Sequence, residues 1–181
     1  MIIIGLSGKA QSGKSTAASY IALHLHGKYD KQVQVIGFAD HLKTMASTIF
    51  GWDGQKGETG RFLLQKIGET YRAKKPSYWI DNVEIWTELH PEMGALIIPD
   101  VRYLNEAEWL TTTMREKGHQ TALWRVDMAG YEGLQGNRGK HASETDLDNW
   151  DFTGYISAPK GSLERLYTVT TLAVDSFLEQ P

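Results

Sequence analysis

The chain has 181 residues, enough for one domain with a buried core and no need of covalent staples, and its 41% hydrophobic and 23% charged residues are ordinary for a globular protein. A net charge of −3 with no basic block excludes an electrostatic footprint for bulk nucleic acid, and the lack of cysteine excludes disulfides, thiolate metal sites and a cysteine nucleophile. No apolar run approaches the roughly 18 residues of a membrane span, and Met1-Ile2-Ile3-Ile4 has no charged segment ahead of it, so neither membrane nor signal peptide is expected and the cytoplasm is the default compartment.

The first strand is the apolar run over 2–6. It leads directly into Gly8-Lys9-Ala10-Gln11-Ser12-Gly13-Lys14-Ser15, which matches the phosphate-binding pattern G-x-x-x-x-G-K-[ST], and then into a helical pattern from Ser15 with Thr16 in its first turn. Each part of that spacing has a physical reason. Gly8 and Gly13 allow a tight turn and a close approach to phosphate. Successive amides form an anion-binding nest at the positive end of the following helix. Lys14 adds a point charge for the β- and γ-phosphates, and Ser15 offers a hydroxyl to Mg²⁺.

The first helix is expected to stop at Gly27, with Ala17, Ala18, Ile21, Ala22 and Leu25 on its inner face. A second strand over 33–38 ends in Gly37-Phe38-Ala39-Asp40, and a helix then runs to Phe50. Asp40 reads two ways: an N-cap, or a carboxylate at a strand's C-terminal edge that holds Mg²⁺ or orients substrate. Gly51, Gly54, Gly57 and Gly60 mark a flexible hinge. Helices follow over 61–72 and 77–89. Arg61 and Gln65 share a face of the first, and Arg61 and Arg72 are candidates to clamp a phosphate. In the second helix Trp79 belongs to an apolar stripe that reads mainly as core, with Trp79 itself the candidate for stacking.

Ala95-Leu96-Ile97-Ile98 is a strand buried on both faces, and it ends in Pro99-Asp100-Val101-Arg102. Asp100 is therefore a candidate to reach Mg²⁺, with Arg102 beside the transferred phosphate. Asn105 is expected to cap the next helix, which stops at Gly118. A fourth strand over 121–126 precedes a glycine-rich segment, 127–151, whose length suggests a lid; Arg138 and Lys140 are its candidate phosphate ligands. Asp146, Asp148 and Asp151 read as a solvated acidic stretch. A short strand over 154–157 and a helix from the Ser162 cap to Leu178 complete the chain. The alternation predicts an α/β three-layer P-loop fold: a mostly parallel five-stranded sheet in a single domain, with a substrate-binding arm inserted at 39–94 and a lid at 127–151.

That order resembles the nucleoside monophosphate kinase group. More narrowly, Gly8 to Thr16, Gly37-Phe38-Ala39-Asp40 with Leu42-Lys43, Asp100-Val101-Arg102-Tyr103 with Asn105-Glu106, and His141-Ala142-Ser143-Glu144 are similar to stretches of bacteriophage deoxynucleoside monophosphate kinases. The resemblance implies Mg²⁺-dependent transfer of the ATP γ-phosphoryl group to a deoxynucleoside monophosphate. It implies ATP contacts along Gly8–Thr16 and at Arg138. Catalytic roles then fall to Lys14, Arg102, Asp40 and Arg138. Substrate contacts fall to Asp40, Lys43, Arg61, Gln65, Arg72, Trp79, Asp100, Arg102, Glu106, His141 and Glu144, and metal contacts to Ser15 and Asp100. Many such kinases carry several lid arginines, whereas this segment has only Arg138. A phosphate acceptor is already an anionic nucleophile and needs no base. An acceptor hydroxyl, as in dephospho-coenzyme A, gluconate or phosphomevalonate kinases, would need one, and Asp40 is the obvious choice. A nucleotide-dependent switch or motor is the alternative outside metabolism, although no Asn-Lys-x-Asp base-reading motif is present. Oligomeric state is left open, a homodimer being one option.

Overall fold

The computed structural model describes residues 1–55, 57–131, 133, 134, 136 and 139–179. The chain forms two compact units, Met1–Val35 with Glu92–Pro181, and Ile36–Pro91.

The first unit is built on β1 (Ile2–Ser7), whose six residues are all buried. An unbroken apolar run suits a strand covered on both faces, and β1 takes the centre of the sheet. Beside it lie β3 (Ala95–Ile98) and β4 (Gln120–Ala129), with β2 (Val33–Val35) and β5 (Gly154–Pro159) at the edges. The order is β2–β3–β1–β4–β5 and every pairing is parallel.

The two faces divide by the strand's period of two. Ile2, Ile4 and Leu6 of β1 join Ile97, Trp124, Val126 and Ile156 against α1 (Lys14–Tyr29) and α8 (Leu163–Leu178). Ile3 and Gly5 face the other way. A side chain at Gly5 would collide with Leu110, Val101 and Leu123. Leu110 belongs to the helical segment that begins as α5 (Leu104–Glu108), widens to a π-helical turn over Trp109–Thr113 and ends as α6 (Met114–Glu116). Helices thus cover both faces of a parallel sheet, the three-layer α/β fold of P-loop NTPases.

α1 and α8 are also tied at their polar edge. Asp175 of α8 accepts hydrogen bonds from Tyr29 Oη at 2.8 Å and Lys28 Nζ at 2.8 Å, and His24 Nε2 lies at 2.6 Å. Lys28 first, then His24, holds the Asp175 carboxyl well below the usual carboxylate range.

The second unit contains α2 (Phe38–Phe50), α3 (Glu58–Lys74) and α4 (Tyr78–Leu89). Its core gathers Leu42, Met45, Ala46, Ile67, Trp79, Ile80 and Val83. Tyr71, Tyr78 and Trp79 pack ring against ring, with centroids 4.7–5.8 Å apart. Among the described residues no helix is long and apolar enough to cross a membrane.

Several boundaries differ from the sequence reading. Gly27 does not stop the first helix; Asp30 does, in the left-handed conformation at φ 49°, with its amide on the Leu25 carbonyl. The second strand ends at Val35, because the Asp40 carboxylate takes the Gly37 amide at 2.7 Å and starts α2 at Phe38. Asp40 is therefore the third residue of a capping box, not the N-cap. The helix after β3 is capped at Tyr103 with Glu106 as its third residue, in place of Asn105. β4 extends to Ala129 and takes the first residues of the expected lid, and β5 reaches Pro159.

Two glycine substitutions test this packing. Gly5→Ala should destabilise by about 1–3 kcal/mol through overpacking, whereas Gly27→Ala, with open space around its Cβ inside α1, should stabilise by about 0.5–1 kcal/mol; urea unfolding midpoints read both. Because the folded-state pKa of Asp175 is depressed, its contribution to stability is present above the ordinary carboxylate pKa and is lost progressively as the pH falls from there toward the lower folded-state value. The drop in melting temperature caused by Asp175→Asn should therefore be largest near neutral pH and shrink in acid.

Candidate functional site

The loop between β1 and α1 stands at the C-terminal edge of the sheet, where open α/β sheets bind their ligands. Its glycines are required by geometry. Gly8 has φ +144° and a Cβ there would strike the Val126 carbonyl and Ser12 Oγ; Gly13 has φ +97° and caps α1. Gln11 is at φ 67°, a conformation that a side-chain-bearing residue adopts at a cost. Ser12 Oγ is buried with no hydrogen-bond partner, an orphaned polar atom inside the loop. The loop therefore has the backbone of an anion cradle.

Lys14 opens α1 and is buried, 8% exposed. Its Nζ donates to the Gly8 and Lys9 carbonyls, each at 2.7 Å, so the side chain folds back along its own loop. Burial, followed by the nearby Arg102 guanidinium, pulls its pKa down to about 8; Glu144 and Asp100 act in the opposite direction. Lys14, Asp100, Arg102 and Glu144 are thus brought into one electrostatic neighbourhood.

Asp100 and Arg102 follow β3, which pairs directly with β1. The turn that carries them is held by Glu106. Its buried carboxylate accepts the Arg102 amide at 2.8 Å and the Tyr103 amide at 3.1 Å. Glu106 was expected on the substrate side, but burial and these two bonds make it a support of the Arg102 turn. Arg102 Nη1 donates to the Ser143 carbonyl at 3.0 Å and to Glu144 Oε1 at 2.5 Å. Glu144 Oε2 accepts the Ala10 amide at 2.8 Å, so this carboxylate joins the loop to the end of β3. Glu144 belongs to α7 (Ala142–Thr145), a single turn capped by His141, whose Nδ1 accepts the Ser143 amide at 3.2 Å. His141 and Glu144 are thus engaged with protein groups.

The sequence reading missed two residues. Arg125 pairs in register with Ser7 at the mouth of the loop, and its guanidinium reaches Asp127 and Asp148. The available signal was an arginine inside the apolar run Ala122-Leu123-Trp124-Arg125-Val126, where a charge needs a partner. Asp148 falls in the stretch that reads from the sequence as solvated. It accepts Lys9 Nζ at 2.6 and 2.7 Å and Arg125 Nη2 at 3.2 Å. Asp146 likewise accepts the Leu104 amide at the start of α5, at 2.9 Å. Arg138 lies outside the described residues.

The remaining candidates belong to the second unit. Asp40 and Lys43 pair with each other at 2.6 Å. Arg61 and Gln65 are exposed on α3, one turn apart, and Arg72 is half-buried further along that helix. Trp79 is 2% exposed and donates Nε1–H to the Gly68 carbonyl at 3.3 Å, so it is core and presents no stacking face.

No family model matches the chain. A protein of Acanthamoeba polyphaga mimivirus named "Putative deoxynucleotide monophosphate kinase" is 26% identical over 208 residues, spanning 97% of this chain and 97% of that protein. Among solved structures, the crystal structure of APE1195 aligns with a TM-score of 0.52 at 18% identity, covering 98% of this chain and 97% of that one. That likeness concerns the fold alone, and it agrees with the three-layer architecture.

The depressed pKa of Lys14 has a measurable consequence. The ammonium is charged below about pH 8 and increasingly neutral above it, so its attraction for an added polyphosphate should weaken as the lysine of the free protein deprotonates. ATP affinity measured by calorimetry should fall as the pH rises through about 8, and Lys14→Arg, which stays charged, should flatten that profile.

Proposed function

We propose that the protein transfers the γ-phosphoryl group of ATP to a deoxynucleoside monophosphate, a Mg²⁺-dependent nucleotide kinase acting on small molecules. The observation that carries this reading is the grouping of Lys14, Asp100 and Arg102 beside a glycine cradle at one sheet edge. The name of the mimiviral relative, aligned over nearly the whole of both chains, supports the same reading and the choice of acceptor.

The chemistry asks for alignment and charge neutralisation more than for a base. The cradle's amides and Lys14 would hold the β- and γ-phosphates, and Arg102 would draw charge from the phosphoryl group in transfer. Ser15 and Asp100 would hold the metal. A hydroxyl and a carboxylate are the oxygen donors that a hard divalent cation prefers, and the ion would offset phosphate charge there. An acceptor phosphate is already ionised. Asp40, the base that a hydroxyl acceptor would require, is committed to the Gly37 amide and to Lys43, which favours a phosphate acceptor. Arg61, Gln65 and Arg72 on α3 are the proposed acceptor-side groups, since guanidinium forks suit phosphate oxygens.

The test is ADP release from Mg-ATP against a panel of dNMPs, NMPs and phosphorylated metabolites. Rapid turnover with at least one dNMP is expected, and Lys14→Ala and Arg102→Ala should each lower kcat by about a hundredfold or more. Stimulation by a non-nucleotide metabolite alone would reject the acceptor, and no stimulation across the panel would reject phosphoryl transfer to a small molecule.

A further inference from the structure

The turn of helix at 142–145 carries Glu144, which the family resemblance puts among the substrate contacts, yet its polar groups are engaged with the glycine loop and with Arg102. Glu144 is a buried carboxylate whose two oxygens are spent on different parts of the fold: one on the Ala10 amide, the other on Arg102 Nη1. The Glu144 carbonyl accepts Lys9 Nζ at 2.5 Å, and the Ser143 carbonyl accepts the same Arg102 nitrogen. Asp148, a turn further on, takes Lys9 and Arg125. One short segment between β4 and β5 therefore binds the loop after β1, the turn after β3 and Arg125 within β4.

We infer that Glu144 is a positioning residue, whose carboxylate fixes the Arg102 guanidinium against the glycine loop and so sets where the arginine meets the transferred phosphoryl group. The inference rests on the phosphoryl-transfer reading above. A carboxylate in this place repels phosphate, so Glu144 is not itself a ligand of an anionic substrate. Its contacts are those of a brace. Arg102 keeps part of its side chain exposed, at 27%, while Glu144 keeps 6%. Ser143 and Glu144 hold the guanidinium by a single corner, which directs the fork without enclosing it. A charge-assisted bond between fixed partners restrains a long side chain more tightly than a neutral one does. Orientation of this kind is worth most in the transition state, where a small displacement of a charge-bearing group slows transfer.

Glu144→Gln keeps the shape and removes the charge. With Mg-ATP and the best dNMP, we expect kcat to fall about ten- to a hundredfold, while KM for ATP stays within about threefold because the cradle and Lys14 are intact. In a double-mutant cycle, Glu144→Gln should cost little once Arg102→Met is present. A variant with wild-type kcat, or losses that simply add, would overturn the inference; so would a fall in the urea midpoint with both kinetic constants unchanged. Should Glu144→Gln not fold, Glu144→Asp retains the charge but is one methylene too short to span Ala10 and Arg102, and carries the same cycle. If the wild type binds ATP but phosphorylates no acceptor, the kinase reading fails by itself. The brace is then read on the Arg102 guanidinium of the free protein by NMR relaxation, where greater mobility in Glu144→Gln supports it and unchanged mobility rejects it.

Discussion

A buried ammonium at the head of a helix is the constraint on which the site depends. In the kinase reading Lys14 must be charged to attract phosphate, yet burial and two neighbouring arginines oppose that charge. The protein resolves the conflict locally. Two loop carbonyls accept hydrogen bonds from the ammonium, and Glu144 and Asp100 supply opposing charge at the same sheet edge. The loop can take that shape because Gly8 and Gly13 occupy backbone conformations closed to most residues, with the Val126 carbonyl packed where a Cβ would be.

The sheet supplies the rest of the geometry. β1 lies between β3 and β4, so whatever follows those two strands faces the glycine loop. Asp100 and Arg102 come from one side and Arg125 from the other. Parallel pairing brings them to the same edge, although Arg125 is more than twenty positions from Arg102 in the chain. The short helix at 142–145 then closes the arrangement. Glu144 within it and Asp148 just beyond it set carboxylates against Lys9, Arg102 and Arg125, a pattern that both neutralises and orients. In the kinase reading, this is how the protein keeps arginines beside a phosphate site without their repulsion distorting it.

The sequence made the scaffold legible because its signals were local. An apolar tripeptide leading into spaced glycines and a lysine has few other solutions, and the strand at 95–98 is a short apolar run between clear stops. Errors gathered where a cap was chosen among competing residues. Gly27 lost to Asp30, and Asn105 to Tyr103 with Glu106, because a helix ends or begins where a neighbouring group satisfies its free amides and carbonyls. Trp79 shared its helical stripe with core residues and belongs to them.

What the amino-acid order determined alone was the cradle: the glycine spacing, the lysine at the helix start and the carboxylate–arginine pair after a buried strand, all encoded within a few consecutive residues. What only tertiary structure decided was how charges distant in sequence are shared. Glu106 and Glu144 are both glutamates near candidate site residues, but one supports a turn and the other joins two strands' ends. Asp148 reads as solvated until Lys9 and Arg125 are folded onto it. A carboxylate's role follows from which donors surround it, and those donors arrive from separate strands, so no local pattern could name them.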